Sequence, residues 1–273
     1  MKKVILKLKK PANHSDLRNL SIINTIEINQ KNISQIKIYI NRKESVVGKL
    51  FSIKISEIKS ETNEIELHGC NEFCHYLGYG WKKDKLFVNS DLGSNICYKM
   101  ISGEIKINGS VDNFLGAEMS GGEIYVKRNA GNYVGSSYLG VKQGMRGGEI
   151  IIDGHAGDYL GCFIRRGLII VKGNVGKFCC FKMIAGNVIL FKSFKSSLGL
   201  SMKRGTIFLM SHNIKNIGAR SSKSFNFVES IFFKYFKKYL KSKFSINLGN
   251  NKYKRFYGDR SINGIGEILV RQN

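Results

Sequence analysis

The chain has 273 residues, a formal net charge of +24 and a single proline, which suits one core with appendages and leaves no long disordered linker. It has no apolar run of about eighteen residues, so no transmembrane helix is expected. The three-residue apolar run after Met1-Lys-Lys is too short for a signal peptide, and the cytoplasm is the expected compartment, where six cysteines would stay as thiols.

Residues 1–61 read as an N-terminal β-rich flank, or cap, with short strands at Val4–Leu8, Ile36–Ile40 and Leu50–Ile55. A repeat fills residues 62–221. Its anchors are Trp81, Met100, Met119, Met145, Ile164, Met183 and Met202, nineteen residues apart except for seven extra residues between Met119 and Met145. Three residues after an anchor stands a glycine: Gly103, Gly122, Gly148, Gly167, Gly186 or Gly205. The first rung carries Asp84 instead. Five and seven residues after each anchor come aliphatic pairs, from Leu86/Val88 and Ile105/Ile107 to Ile150/Ile152 and Ile207/Leu209. A spacing of two puts both members on one face of a strand, and stacking aligns them into columns. Another column precedes the anchors by four: Leu77, Ile96, Leu115, Leu160, Cys179, Leu198 and Ile217. The period predicts an all-β fold, a single-stranded β-helix of about eight turns forming a rod of roughly 38 Å. The corner glycines, clearest in Gly154-x-x-Gly157-x-x-x-Gly161, are structural and not a nucleotide loop, because no strand–loop–helix unit surrounds them.

Residues 222–273 read as a C-terminal helix and tail. Over 224–241, Val228, Ile231, Phe232, Tyr235 and Tyr239 share one face, and Ser224 is placed to cap the start. From Gly258 to Ile268 the pattern is turn, then strand.

The positive charge raises nucleic acid as a ligand, yet no zinc finger, RNP pattern or helix-turn-helix occurs. Abundant Lys, Asn and Ile also follow from an AT-rich genome, and no nucleic-acid or membrane partner is expected. One corner does concentrate charge: Lys82, Lys83, Arg146, Arg165, Arg166, Lys203 and Arg204 all follow the anchors directly. Stacked like charges cost energy unless solvated or paired with an anion. Arg146, Arg165, Arg166, Lys203 and Arg204 are therefore the candidate binding residues for a polyanion, beside the alternative of a solvated edge. Catalytic residues: none are expected. The histidines His14, His155 and His212 stand apart, and His68-x-Cys70-x-x-x-Cys74-His75 matches no usual zinc spacing, so no metal site is expected. No nucleophile elbow, Walker loop, HExxH or iron–sulfur run appears.

The segments 122–135 and 145–161 resemble the GxxGxxxG repeats of two families. One is the C-terminal β-helix domain of glutamate synthase. The other is the C subunit of formylmethanofuran dehydrogenase, with its bacterial relative in the formyltransferase/hydrolase complex of methylotrophs. The freestanding length favours the second family. Arg165-Arg-Gly-Leu-Ile-Ile-Val, Met183-Ile-Ala-Gly-Asn-Val, Met202-Lys-Arg-Gly-Thr-Ile and the run into Gly266-Glu-Ile-Leu269 are similar to the bacterial member, as is the insertion ending at Met145. Cys97, Cys180, Lys192 and Ser211 depart from the pattern where glycine is expected, and the composition is more basic.

This resemblance implies a non-catalytic structural subunit of a complex in tetrahydromethanopterin- and methylofuran-linked one-carbon metabolism. Such a complex transfers a formyl group to methylofuran and releases formate. The implied partners are the amidohydrolase-like A subunit, the B subunit and the formyltransferase D subunit. No cofactor is expected to bind this chain directly, apart from contact with the polyglutamate tail that methylofuran-type cofactors carry. Two other readings stay open: the C subunit of an archaeal-type tungsten or molybdenum formylmethanofuran dehydrogenase, and an independent polyanion-binding solenoid.

Overall fold

The computed structural model describes residues 1–11, 13–138, 140–211, 224–226, 231–249 and 253–272. His212, Ile217, Ser221 and Val228 lie outside the described residues, and the side chains of Ser224 and Phe232 lie outside the described ones.

β-Branched residues at alternate positions favour extended backbone, and here the strands stack in parallel at the repeat spacing. Among the described residues the main sheet has 13 strands. Lys2–Leu8 pairs with Glu64–His68, and Lys85–Val88, Glu104–Ile107, Glu123–Val126, Arg146–Ile152, Arg166–Val171, Asn187–Leu190, Thr206–Leu209 and Glu267–Arg271 follow in order, every neighbouring pair parallel. One side-chain column runs Val4, Ile65, Leu86, Ile105, Ile124, Ile150, Ile169, Val188, Ile207, Ile268. A second, two residues on, runs from Leu6 to Val270. Both are buried, as are all seven anchors. The strands at Lys2–Leu8 and Glu267–Arg271, outside residues 62–221, therefore extend the same two columns. At a corner of the repeat, Phe114, Tyr133, Tyr159 and Phe178 stack face to face with centroids 4.8, 5.1 and 5.0 Å apart.

The other face of the sheet changes character along the ladder. The residue between the paired aliphatics is Phe87, Lys106, Tyr125, Ile151, Ile170, Ile189 and Phe208 in turn, with Phe87 half-buried. Lys106 is exposed, Tyr125 half-buried, and the last four are buried. Runs such as Ile150-Ile151-Ile152 and Leu168-Ile169-Ile170-Val171 are apolar at consecutive positions, the signature of a strand covered on both sides. The cover is the helix Ile231–Phe244, which buries Phe233, Phe236 and Leu240 in the same cluster. Phe208 packs against Phe233 and Phe236, with ring centroids 5.7 and 5.4 Å away. Each such side chain contributes on the order of 2 kcal/mol by leaving water.

Two expectations are corrected. The fold is not an all-β, single-stranded β-helix. It is a mixed arrangement: a 13-stranded sheet, further sheets of two and four strands, and α-helices at Gln30–Ser34, Val47–Leu50 and Ile231–Phe244. Phe51–Glu57 pairs antiparallel with Lys2–Leu8, while Tyr253–Tyr257 and Ser224–Asn226 add antiparallel strands beyond Glu267–Arg271. The period records only the inward columns; it carries no sign of strands that close open edges or of a helical layer. The segment expected as a helix over 224–241 with Ser224 at its cap is instead a strand at Ser224–Asn226 and a helix at Ile231–Phe244. Ile231 and Tyr235 point to solvent, and Phe233, Phe236 and Leu240 face the sheet.

Candidate functional site

A local irregularity in the ladder lies beside an open groove. Arg146 stands opposite Arg166, yet Glu149 stands opposite Leu168, so the strand of Arg146 carries one residue more than its neighbour. Such a bulge bends and twists the strand that holds it. Beside it Gly148 and Gly167 have φ of +86° and +102°, the left-handed backbone that recurs at this position on the other glycine-bearing rungs. A Cβ at Gly148 would lie 2.6 Å from both the Gly122 carbonyl oxygen and Met119 Cε, so only glycine fits. Gly103, Gly121, Gly122 and Gly147 share the floor, leaving an open groove of about 700 Å³. Arg146 and Arg166 line it together with Phe236, Tyr239 and Lys243 of the C-terminal helix.

Beside this floor runs a column of carboxylates. Glu104, Glu123 and Glu149 are register partners on three successive strands. Like charges at that spacing repel unless a cation lies between them. Lys106 Nζ lies 2.5 Å from Glu104. Lys243 Nζ reaches Glu149 at 2.7 Å and also contacts Glu123, while the Tyr239 hydroxyl donates to Glu149. Burial pulls the Lys243 ammonium down, but its hydrogen bonds to Glu123 and Glu149 outweigh this and hold it above the ordinary lysine value. Burial, then the bond to Glu149, pushes the Tyr239 phenol up. Both groups therefore prefer their protonated forms when the helix is docked. A folded-state pKa above the unfolded one gives stability that is complete below the unfolded value and lost as pH rises through the folded value. Docking of the helix is thus expected to weaken only above about pH 10. Lys243→Gln is expected to cost about 1 kcal/mol, discounted for partial exposure, and to flatten that alkaline slope; urea melts at pH 7 and pH 10.5 measure both.

The structure brings Arg146 and Arg166 together and carries Arg165, Lys203 and Arg204 along the same corner, all exposed. The last three do not line the groove. None of the five has a carboxylate partner among the described residues, whereas Lys99, Lys106, Arg128, Lys172 and Lys243 do. Lys82 and Lys83 are exposed three rungs before Arg146. Glu149, Tyr239 and Lys243 also line the groove, and the charge pattern missed them. The stacked glutamates were the available signal, since they call for a cation from elsewhere.

In the cysteine–histidine cluster Cys70 and Cys74 meet in a side-chain hydrogen bond, while the two histidines bond elsewhere. His68 Nε2 lies 3.4 Å from Glu66, and His75 Nδ1 accepts from the Ser94 amide at 3.0 Å. Among the described residues no group of three or more His, Cys, Asp or Glu is placed to hold a metal. All six cysteines are buried thiols, and burial pushes Cys162 up to about 11. Because all six are buried, native protein is expected to resist a disulfide reagent at pH 8, even at Cys74, whose thiol the hydrogen bond with Cys70 draws down, with six thiols counted only after denaturation. No helix among the described residues is long and apolar enough to cross a membrane.

No protein-family model matches the chain, and no curated protein matches it. A solved structure does. A chain in the crystal structure of the formyltransferase/hydrolase complex from Methylorubrum extorquens, in complex with methylofuran, is similar at a TM-score of 0.83 and 23% identity. The similarity covers 98% of this chain and 100% of that one. The likeness is one of fold. It takes in both flanks as well as the repeat, and agrees with the resemblance carried by the GxxGxxxG segments.

Proposed function

We propose that this chain is a non-catalytic structural subunit of a formyltransferase/hydrolase complex acting on methylofuran-bound one-carbon units. The observation that carries the reading is the fold likeness to a chain of such a complex, which takes in nearly all of both chains. Its partners are then the amidohydrolase-like A subunit, the B subunit and the formyltransferase D subunit. The test is co-expression with those subunits from the same host. The expected result is transfer and hydrolysis in the assembled complex and none in this chain alone. Turnover by the isolated chain, or full activity of a complex lacking it, would overturn the proposal.

Within that reading, Arg146, Arg165, Arg166, Lys203 and Arg204 hold an anionic chain: the polyglutamate tail of methylofuran, or an acidic patch of a neighbouring subunit. Five cations along one corner, without a carboxylate partner among the described residues, fit such a tail. Such an attraction concentrates and steers the cofactor. Attraction between exposed charges is screened over about 10 Å at 0.1 M salt. The triple variant Arg146/Arg165/Arg166→Gln is expected to bind polyglutamate more weakly and with a shallower dependence on salt. Identical affinity and slope for the two proteins would remove the edge from consideration.

A further inference from the structure

The C-terminal helix has two apolar faces, and the chain uses one. Phe233, Phe236 and Leu240 are buried against the sheet. Ile231 and Tyr235 lie one turn apart on another face and are 74% and 70% exposed; Tyr239, the next turn on, is also exposed. Lys234 and Lys238 share that face, three and seven residues after Ile231. Both are exposed, and neither has an ion-pair partner among the described residues. The helix sequence, IFFKYFKKYLKSKF, contains no acidic residue that could neutralise them.

We propose that the face formed by Ile231, Tyr235 and Tyr239 and flanked by Lys234 and Lys238 is a docking surface for an acidic partner protein. The complementary surface is an apolar recess with carboxylates on its rim. Tyrosine suits such an anchor, since its ring is buried while its hydroxyl keeps a polar partner. Lysines around it select carboxylates and speed encounter. Charge chooses among occupants. A second copy of this chain would bring another +24 and the same row of lysines, so self-association is opposed. A bilayer surface would attract the lysines, but three apolar side chains offer little area to insert. Tyr239 links this face to the groove, because it lines the groove and its hydroxyl donates to Glu149. A partner seated on the helix thus borders Arg146 and Arg166.

In naming the partner as another subunit of the formyltransferase/hydrolase complex, the inference rests on the proposed function. The test uses the full chain co-expressed with those subunits. It compares wild type with Ile231→Ser/Tyr235→Ser, Lys234→Glu/Lys238→Glu and Lys234→Arg/Lys238→Arg. All the side chains changed are exposed, so thermal melts should match wild type. The first two variants are expected to bind at least about tenfold more weakly, and the arginine variant to bind as wild type. The glutamate variant should lose its deficit in part as salt is raised. Equal assembly by all variants overturns the docking surface alone and leaves the subunit reading intact. Failure of the wild type to assemble overturns the subunit reading and this partner with it. Sedimentation of the lone chain with phosphatidylserine vesicles, or a dimer abolished by the serine variant, overturns the acidic-protein proposal in favour of a membrane or a second copy.

Discussion

Ile152→Asp is expected to be the most damaging single substitution in the ladder. Ile152 is fully buried, with Val126 and Val171 as its register partners on either side. An aspartate there loses the transfer energy of a large aliphatic side chain and brings a carboxylate into a region with no donor to meet it. An unpaired buried charge forces either its own protonation or local opening, at a cost of several kcal/mol. A midpoint falls by roughly 2–4 °C per kcal/mol in a domain of this size, so a drop of about 10 °C or more is expected. Lys106→Asp is the control. Lys106 lies two strands away in the same sheet, but it is exposed, and among the described residues its ion pair is with Glu104 at the surface. The control is expected to shift stability by less than about 1 kcal/mol. Scanning calorimetry of both proteins decides the matter, and equal melting temperatures would mean that the inward register is wrong.

The contrast between these two positions shows what the sequence made legible. A nineteen-residue period repeats whatever each rung contributes to the shared interior, so Ile152, Met145 and the positive-φ glycines could be placed from spacing alone. It superimposes Arg146 on Arg165, whereas the bulge in the strand of Arg146 moves the pairing by one residue, to Arg166. What the period cannot carry is anything that occurs once. Lys2–Leu8 and Phe51–Glu57 close one end of the sheet, yet nothing in the repeat points to them. The helix was legible as a helix, but not its orientation. Ile231, Tyr235 and Tyr239 form as regular an apolar stripe as Phe233, Phe236 and Leu240, and only contact with the sheet separates them. The signal for that contact lay in the strands. Ile151, Ile170, Ile189 and Phe208 stand where Lys106 stands earlier, and a second apolar row needs a cover. The same single occurrence hid Tyr239 and Lys243 from the candidate site, since a residue on the helix has no counterpart on any other rung.

Asp84→Gly is expected to destabilise the protein although it would make the repeat more regular. At the other rungs this position is glycine with positive φ, as at Gly103 and Gly122; Asp84 is not in that region of backbone space, so glycine would relieve no strain there. Instead its carboxylate, almost fully buried, ties the N-terminal segment to the ladder. Asn24 Nδ2 donates to one oxygen at 2.9 Å. The Asn63 amide and its Nδ2 both donate to the other at 3.2 Å. Asn24 Oδ1 in turn accepts from the Lys82 amide at 3.2 Å. The backbone at Asp84 holds Trp81, whose Nε1 donates to the Asp84 carbonyl at 2.7 Å. Glycine keeps that last bond and removes the carboxylate, leaving the donors of Asn24 and Asn63 without an acceptor. Each donor left unsatisfied costs about 1–3 kcal/mol, more than a neutral hydrogen bond adds, so a total near 3–5 kcal/mol is expected. Asp84→Asn should cost less, because one oxygen still accepts from Asn63 while the new amide opposes Asn24. The measurement is chemical denaturation of the two variants together with hydrogen exchange over residues 18–28. Loss of protection in that segment, greater for glycine than for asparagine, is the expected pattern. An unchanged or raised midpoint for Asp84→Gly would mean that Asp84 is an eroded glycine of the repeat and not the residue that fastens the N-terminal segment.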